Sequence, residues 1–242
     1  MTTNLSAATI GKAAARRNHG PWPALYDIGL GVAGRYVGGR LTRIDEGGEH
    51  LLEGTSPLIL AANHQDHLDY DTILISTPKA RRRRLRYVAS EEVLNALGGG
   101  RGRMRRARGA VIRGIATHVH RVIPVRGDVR GSAAVAAMAA ALAGGDTVVI
   151  FPEGAHNRGT EGVTDLKPGV AALARASGVP ILPIRIDGTR GKLPARTAIL
   201  VRTKPHITVR YRRPIEVGPS ESDEQILARL ATALAPPDGP GT

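Results

Sequence analysis

A histidine and an aspartate five positions apart are the first residues of this chain whose types could do chemistry together. His64 follows the apolar run Leu58–Ala62, and Asp69 lies in the polar stretch that comes next. A tight turn can place a carboxylate on one ring nitrogen of His64 and leave the other nitrogen available as a base. Asp66 and Asp71 are also near enough in sequence to be this partner. The sequence therefore predicts a general base held by a carboxylate, and the spacing leaves the choice of carboxylate open.

The chain lacks the two commonest signs of an enzyme nucleophile that such a base would activate. It contains no cysteine and no Gly-x-Ser-x-Gly sequence of the kind that presents a catalytic serine. The absence of cysteine also excludes disulfides and thiolate metal sites. We therefore predict that the base acts on a hydroxyl group of the substrate itself.

Two further motifs accompany other apolar runs. Phe151–Gly154 reads Phe-Pro-Glu-Gly and directly follows Val148–Ile150, while Val179–Pro183 reads Val-Pro-Ile-Leu-Pro. In the first of these motifs, Glu153 could orient an acceptor hydroxyl or anchor nearby basic groups. Gly154 permits a close or left-handed backbone at the same turn.

Together and in this order, the motifs resemble those of the glycerolipid acyltransferase family, whose best known members are the 1-acylglycerol-3-phosphate acyltransferases. The family motif Asn-His-x-x-x-x-Asp is matched by Asn63–Asp69, and Phe-Pro-Glu-Gly is matched by Phe151–Gly154. Lys167–Gly169 matches the Lys-Pro-Gly that follows in many members, and Val179–Pro183 matches the last motif, Val-Pro-Ile-x-Pro. The resemblance covers residues 50–215.

This resemblance implies direct acyl transfer. His64, paired with Asp69, would remove a proton from an acceptor hydroxyl, and that oxygen would attack the thioester carbonyl of acyl-CoA or acyl-carrier protein. The thioester is a co-substrate, and neither a cofactor, a metal nor an acyl-enzyme is required. The implied acceptor is lysophosphatidate or a related molecule. The residues expected to bind it are Glu153, Gly154, Arg126 and Arg158.

The chain departs from the family where the acceptor phosphate is expected to bind. The second family motif often ends Pro-Val-x-Arg, and here Arg126 comes one place early. The third usually continues Thr-Arg-Ser, and here Ala155–Arg158 reads Ala-His-Asn-Arg. Asp66 also stands where a serine is common. Arg126, Arg130 or Arg158 could compensate, since a guanidinium binds phosphate through parallel hydrogen bonds. Otherwise the acceptor is not a glycerol phosphate, which is the alternative within the same family.

Alternating strand and helix patterns surround these motifs. Short apolar runs predict strands at residues 58–62, 85–89, 122–125, 147–151, 181–186, 199–201 and 207–211. Helices are predicted at residues 71–76, 91–97, 132–143, 168–177 and 220–234, with Ser220 as an N-cap and Gly178 after a C-terminus. The alternation predicts an α/β fold with a mixed, mostly parallel sheet flanked by helices. The carboxyl ends of such strands should bring His64, Arg126 and Glu153 to one edge.

An N-terminal helical segment is predicted at residues 21–44, between a tail at 1–20 and an acyltransferase domain at 45–236, which a tail at 237–242 follows. This segment could lie in a membrane interface, with Trp22 as an anchor, or pack on the core. No apolar stretch reaches the ~18 residues of a spanning helix, and residues 1–20 lack the order of a secretory signal. We expect a cytoplasmic enzyme that is peripheral at the inner membrane face.

The net charge of +13 and the pI near 11.0 favour anionic partners. Much of this charge comes from Arg81–Arg84 and Arg101–Arg108. Both runs could dock on an anionic membrane surface, on the phosphates of CoA or on an acidic carrier protein. Equally, both could be solvated basic loops.

Two other classes of function compete with the enzyme reading. The charge would suit a nucleic-acid-binding protein, but aromatic residues make up only 3% of the chain, so we expect no nucleic-acid partner. A metal-dependent hydrolase could use the cluster His64–Asp69 together with His118 and His120. Since the local spacing does not turn Asp66 and His67 toward the face used by His64, no metal site is expected.

Overall fold

The computed structural model describes most of the predicted domain. The described residues are 28, 30, 31, 34, 35, 37, 40–91, 94, 103–118, 120–125, 132–157, 159, 162, 163, 165–191, 206–218 and 220–237. Several predictions lie outside them: the tail at residues 1–20, Trp22, the strand at 199–201, and the arginines Arg126, Arg130 and Arg158. Most of the helix predicted at 91–97 also lies outside.

Strands and helices alternate through the described chain. The strands are β1 (Leu41–Asp45), β2 (Ile59–Ala62), β3 (Leu85–Ser90), β4 (Ile123–Val125), β5 (Thr147–Ile150), β6 (Ile181–Asp187) and β7 (Ile207–Tyr211). The helices are α1 (His50–Glu53), α2 (Leu68–Ser76), α3 (Lys79–Arg82), α4 (Arg103–His118), α5 (Ser132–Ala143), α6 (Gly169–Ser177) and α7 (Asp223–Leu234).

In the described part of the chain, the strands form one seven-stranded sheet in the order β1-β7-β6-β2-β5-β3-β4. Neighbouring strands are parallel except β6 and β7, which are antiparallel. The predicted α/β fold with a mixed, mostly parallel sheet flanked by helices is therefore confirmed. Because β2 lies between β6 and β5, the loops that leave these three strands meet at one edge of the sheet.

Both faces of the central strands β2 and β5 are buried, as their mainly apolar sequences require. On one face, Leu60 and Ala62 belong to a core cluster with Ile73 and Leu74 of α2. On the other face, alternate residues of β2 and its neighbours pack against α5, α6 and α7. Burying apolar side chains contributes ~25 cal/mol per Å² of surface removed from water, so these two layers hold β2 firmly in place. The loop that follows β2 therefore starts from a fixed point.

The helix predicted over residues 21–44 is wrong at its C-terminal end, where the first strand begins. Residues 28, 30, 31, 34, 35 and 37 are helical, but Leu41–Asp45 forms β1, which pairs in parallel with β7. Only Leu41 and Ile44 of this edge strand are half-buried, and the other three residues are exposed. Leu41 and Ile44 are three positions apart, a spacing that also fits one turn of a helix. The pattern therefore predicted a helix where the structure has a strand. The division of the chain into domains stays a prediction.

Two further local predictions are wrong. The alternative that Arg101–Arg108 is a solvated loop is wrong from Arg103 onward, where α4 begins. Arginine is a good helix former, and Gly109 is buried within this helix. The N-cap of α7 is Ser222 rather than Ser220, because Ser222 and Gln225 form a reciprocal capping box. By contrast, Gly178 ends α6 as predicted, in the left-handed conformation.

Part of the run Arg81–Arg84 is structural. Arg81 is buried, and its guanidinium donates hydrogen bonds to the hydroxyl of Thr147 and to four carbonyl oxygens, those of Leu51, Leu52, Gly54 and Ser56. Arg82 donates to the carbonyl oxygens of Ile75 and Thr77 at the end of α2. Both guanidiniums thus satisfy carbonyls that helix ends leave without partners. The run lies at the amino ends of β3 and β5, opposite the edge where β2 ends.

Among the described residues, no helix is both long and apolar enough to cross a membrane.

Candidate active site

The loops after β2, β5 and β6 form a candidate site at one edge of the sheet. His64 lies two residues after β2, and Phe151 and Glu153 follow β5. The side chain of Asn63 fastens this loop to β6: its Nδ2 donates to the Ile186 carbonyl at 2.8 Å, and its Oδ1 accepts from the Ile186 N–H at 2.7 Å. These paired hydrogen bonds fix where His64 leaves the sheet. The sequence predicted that His64 and Glu153 share this edge, and the structure places both there.

The imidazole of His64 contacts the carboxylate of Asp69. Nδ1 lies 2.9 Å from Oδ2, and Asp69 is fully buried at the start of α2. The same Oδ2 accepts backbone N–H groups from Gln65 at 2.7 Å and Asp66 at 2.9 Å. Since an ionised carboxylate only accepts, the proton of a neutral imidazole belongs on Nδ1, and Nε2 carries the lone pair. The geometry therefore suits His64 to act as a base through Nε2.

The structure also separates Asp69 from the other candidate carboxylates. Asp66 Oδ1 accepts the backbone N–H of Leu68 at 3.2 Å, within the turn that starts α2. Asp71 faces His120 instead, with 3.6 Å between Oδ1 and Nε2. Asp69 is the partner that the family motif indicated. His64, Gln65 and Asp66 all contact Asp69 Oδ2, so the chain turns around this oxygen between the histidine and the aspartate of the motif.

Aromatic rings fix the plane of the His64 imidazole. Phe151 stacks on it, with 4.0 Å between ring centroids and 20° between planes. Tyr70 meets it edge-on at 5.6 Å. Burial and the charge of Asp69 raise the pKa of Tyr70 well above its ordinary value, so its phenol stays neutral. His64 itself is only 6% exposed, which gives the base a largely water-excluded setting.

Glu153 holds the backbone of His64. Its Oε1 accepts the His64 N–H at 2.8 Å, and the His64 carbonyl accepts the N–H of Asn157 at 2.7 Å. The loop after β5 therefore grips His64 on both sides of its backbone. This contact assigns Glu153 a supporting position, whereas its predicted contact with an acceptor stays a prediction.

Gly154 lies at the exposed end of this turn and has a positive φ of 72°, a conformation that favours glycine. The Lys167 N–H donates to the Pro152 carbonyl at 2.7 Å, which brings Lys167–Gly169 and the start of α6 beside the turn. Two motifs that are separated in the sequence are thus joined at the candidate site.

His156 packs against the catalytic candidate, and the sequence did not single it out for this position. Its ring centroid lies 4.1 Å from that of His64 and 4.5 Å from that of His67. In the family pattern an arginine is common at this place, so a smaller side chain stands beside His64. Among the described residues, no group of three or more histidine or acidic side chains is arranged to hold a metal ion.

A second pair, the buried His120 and the half-buried Asp71, lies near the site. Burial lowers the pKa of His120, although the Asp71 carboxylate opposes the shift, and burial raises the pKa of Asp71. His120 packs between Tyr70 and Tyr87, with ring centroids 5.6 and 5.2 Å away. Tyr70 contacts both the His120 ring and the His64 ring.

We predict that His120 makes the fold sensitive to acid. In the unfolded chain a histidine takes up its proton near pH 6.5, whereas the folded state resists until lower pH. Between these two pKa values the unfolded state binds more protons, so the free energy of unfolding falls as pH falls. Urea unfolding at pH 7.5 and 5.5 should show a larger loss for the wild type than for His120→Gln. Equal losses would contradict this assignment.

Thr189, after β6, is a site residue that sequence reasoning missed. It is fully buried, and its hydroxyl donates to Asp69 Oδ1 at 2.5 Å. The two residues are 120 positions apart, so no local pattern connects them. The arginines Arg126 and Arg158, which were predicted to bind an acceptor, lie outside the described residues.

Comparisons with known proteins agree with this arrangement. A family model described as Acyltransferase matches residues 43–187, which is more than half of the 242-residue chain. No curated protein sequence matches the chain. The crystal structure of PlsC, the 1-acyl-sn-glycerophosphate (LPA) acyltransferase from Thermotoga maritima, has a similar fold, with a TM-score of 0.58 and 19% sequence identity. The similarity covers 92% of this chain and 83% of that one.

Proposed function

We propose, from the premise that this chain belongs to the acyltransferase family, that it moves a fatty acyl group from acyl-CoA or acyl-carrier protein to a hydroxyl of lysophosphatidate or a related acceptor. The observation that carries the proposal is the 2.9 Å contact between His64 Nδ1 and Asp69 Oδ2 at the edge where β2, β5 and β6 end. This contact lies inside the region that the family model matches.

In the proposed reaction, Nε2 of His64 takes the proton of the acceptor hydroxyl as its oxygen attacks the thioester carbonyl carbon. The new carbon–oxygen bond gives a tetrahedral intermediate. That intermediate collapses by breaking the carbon–sulfur bond, and the departing sulfur takes the proton from the imidazolium. Asp69 stabilises the imidazolium during this cycle. The backbone N–H groups at the start of α6, which lies beside the Glu153–Gly154 turn, are suited to donate to the intermediate's oxyanion.

An acceptor screen tests the proposed function. The full chain is incubated with a long-chain acyl-CoA and, in turn, lysophosphatidate, glycerol 3-phosphate or a long-chain alcohol without phosphate. Thiol release and acylated product are both measured. We expect release that depends on the acceptor, equals the product formed and is fastest with lysophosphatidate.

The other results of this screen are equally informative. Turnover only with the alcohol would support the alternative within the family, a non-glycerol-phosphate acceptor, which the histidine at position 156 favours. Thiol release without any acceptor would indicate hydrolysis and would contradict the proposal. Parallel reactions with acyl-carrier protein decide between the two donors.

We also propose that α4 contacts an anionic membrane surface, where a lipid acceptor resides. The helix contains five arginines and no acidic residue. It connects the end of β3 to the start of β4, and these strands are parallel, so α4 runs back across the sheet. Its arginine-rich first turns therefore begin toward the edge at which His64 lies. Positive charge near a surface contributes about 1 kcal/mol of attraction per residue to anionic lipid.

Vesicle flotation tests this proposal. We expect the wild type to float with phosphatidylglycerol vesicles and to stay behind with phosphatidylcholine vesicles. Glutamate at Arg103, Arg105 and Arg106 should abolish the flotation, since it reverses the charge of the first turns. The matched control changes Lys79, Arg83 and Arg84 to glutamate, which reverses as many charges at the opposite edge of the sheet. Equal loss in both variants would mean that the surface attraction is not specific to α4.

A further inference from the structure

We infer that Thr189 is a positioning residue, which holds the Asp69 carboxylate in the orientation that keeps a proton on Nδ1 of His64. The inference rests on the proposed function, because it concerns the base of that reaction. It adds a third residue to the His64–Asp69 pair, from the loop after β6.

The hydrogen bonds of Asp69 divide unequally between its two oxygens. Oδ2 receives the His64 Nδ1 contact and the backbone N–H groups of Gln65 and Asp66. Among the described residues, Oδ1 receives the hydroxyl of Thr189, at 2.5 Å. A carboxylate has a soft terminal torsion, so contacts to one oxygen alone leave its plane free to turn. A donor on the second oxygen fixes that plane, and with it the direction of the lone pair that meets Nδ1.

The backbone around Thr189 is built to bring its hydroxyl inward. The preceding residue, Gly188, has a φ of +93°, and a Cβ placed there would lie 1.9 Å from the carbonyl oxygen of His206. The chain after β6 therefore passes tightly against the chain that enters β7, where only glycine fits. Thr189 follows this close approach with a fully buried side chain.

Thr189 also has an alternative acceptor in the amide of Gln65, and distance decides between the two. Its hydroxyl lies 3.4 Å from Gln65 Oε1 and 2.5 Å from Asp69 Oδ1. A hydroxyl carries one proton, and a charged acceptor at short distance makes the stronger hydrogen bond. The proton therefore points to Asp69. The residue acts on the imidazole through this carboxylate and does not itself face the reacting atoms.

Two substitutions separate the hydroxyl from the packing of the side chain. Thr189→Val keeps the shape and removes the donor, whereas Thr189→Ser keeps the donor and removes a methyl group. We expect kcat of the valine variant to fall about tenfold with both KM values unchanged, as suits loss of one hydrogen bond to a charged group. The serine variant should stay within about threefold of the wild type. Equal activity of the valine variant and the wild type, or an equal loss in both variants, would overturn the inference.

A measurement without substrate distinguishes failure of this inference from failure of the proposed function. Long-range proton–nitrogen NMR of the free protein reports which ring nitrogen of His64 carries the proton. We expect Nδ1 to be protonated in the wild type and in Thr189→Ser, and a mixture of the two tautomers in Thr189→Val. If this pattern appears in a protein that transfers no acyl group, the positioning role stands and the function fails. If transfer occurs and the tautomer is the same in all three proteins, the function stands and the inference is wrong.

Discussion

Replacing His64 with alanine is expected to lower kcat for acyl transfer on the order of 10³-fold while leaving the fold intact. The imidazole is the group whose Nε2 lone pair removes the acceptor proton in the proposed reaction, and its Nδ1 lies on the Asp69 carboxylate. The expected readout is thiol release from acyl-CoA at saturating acceptor. Activity within a few-fold of the wild type would reject His64 as the base.

The matched control for this substitution is His67→Ala. His67 lies three positions further on and contacts His156 edge-on, so it shares the neighbourhood of His64 but is not the imidazole whose Nδ1 meets Asp69 Oδ2. We expect a change of only a few-fold. An equally severe loss at both histidines would instead favour the metal-dependent reading, in which several imidazoles act together. Circular dichroism and thermal unfolding of both variants show whether the fold is retained.

The second large effect is expected for Asp69→Asn, which should lower kcat by about 10²- to 10⁴-fold. The amide is the same size as the carboxylate. Its oxygen can still accept from the backbone of Gln65 and Asp66, and the Thr189 hydroxyl can turn to accept from its nitrogen. The fold should therefore survive. What disappears is the negative charge that stabilises the imidazolium and fixes its tautomer.

Two neighbouring carboxylates supply the controls for Asp69. Asp66 Oδ1 accepts the Leu68 N–H in the turn before α2, and Asp71 faces His120, whereas the oxygen that meets His64 Nδ1 belongs to Asp69. Changing either to asparagine should alter kcat by only a few-fold. If Asp71→Asn proved as damaging as Asp69→Asn, the partner of His64 in solution would differ from the one described here.

Much of the fold follows from short-range features of the sequence. Apolar runs at β2, β5 and the first half of β6 have both faces buried, so the positions of these strands were predictable. The edge strand β1 was not, because its two half-buried residues are spaced as in a helix. The helix α4 was missed because its glycines and arginines read as a loop. Context decided β1, whereas α4 agrees with the helix propensity of its arginines.

The candidate site was predictable only where its residues share a motif. His64 and Asp69 lie in one turn, so their contact could be expected, although the spacing alone did not exclude Asp66 or Asp71. Thr189 lies in the loop after β6, and it meets Asp69 because β6 is next to β2 in the sheet. Likewise, nothing in the run Arg81–Arg84 distinguishes the buried Arg81 from its neighbours. Its burial depends on carbonyl groups at the end of α1.

The role of Glu153 shows how a motif residue can be placed correctly and understood only in part. The sequence placed it at the edge where β5 ends and allowed it to orient an acceptor or to anchor other groups. In the structure, its Oε1 accepts the backbone N–H of His64. A backbone donor carries no residue-specific signal, so the sequence could not reveal this contact.

A ternary complex tests the central claim most directly. The protein would be crystallised with a lipid acceptor and an acyl-CoA analogue in which a CH₂ group replaces the thioester sulfur, so that the carbonyl remains but cannot react. We predict the acceptor oxygen about 2.6–3.2 Å from Nε2 of His64 and about 3–3.5 Å from the carbonyl carbon. An acyl carbonyl bound at the opposite edge of the sheet, or an acceptor hydroxyl out of reach of His64, would contradict the mechanism.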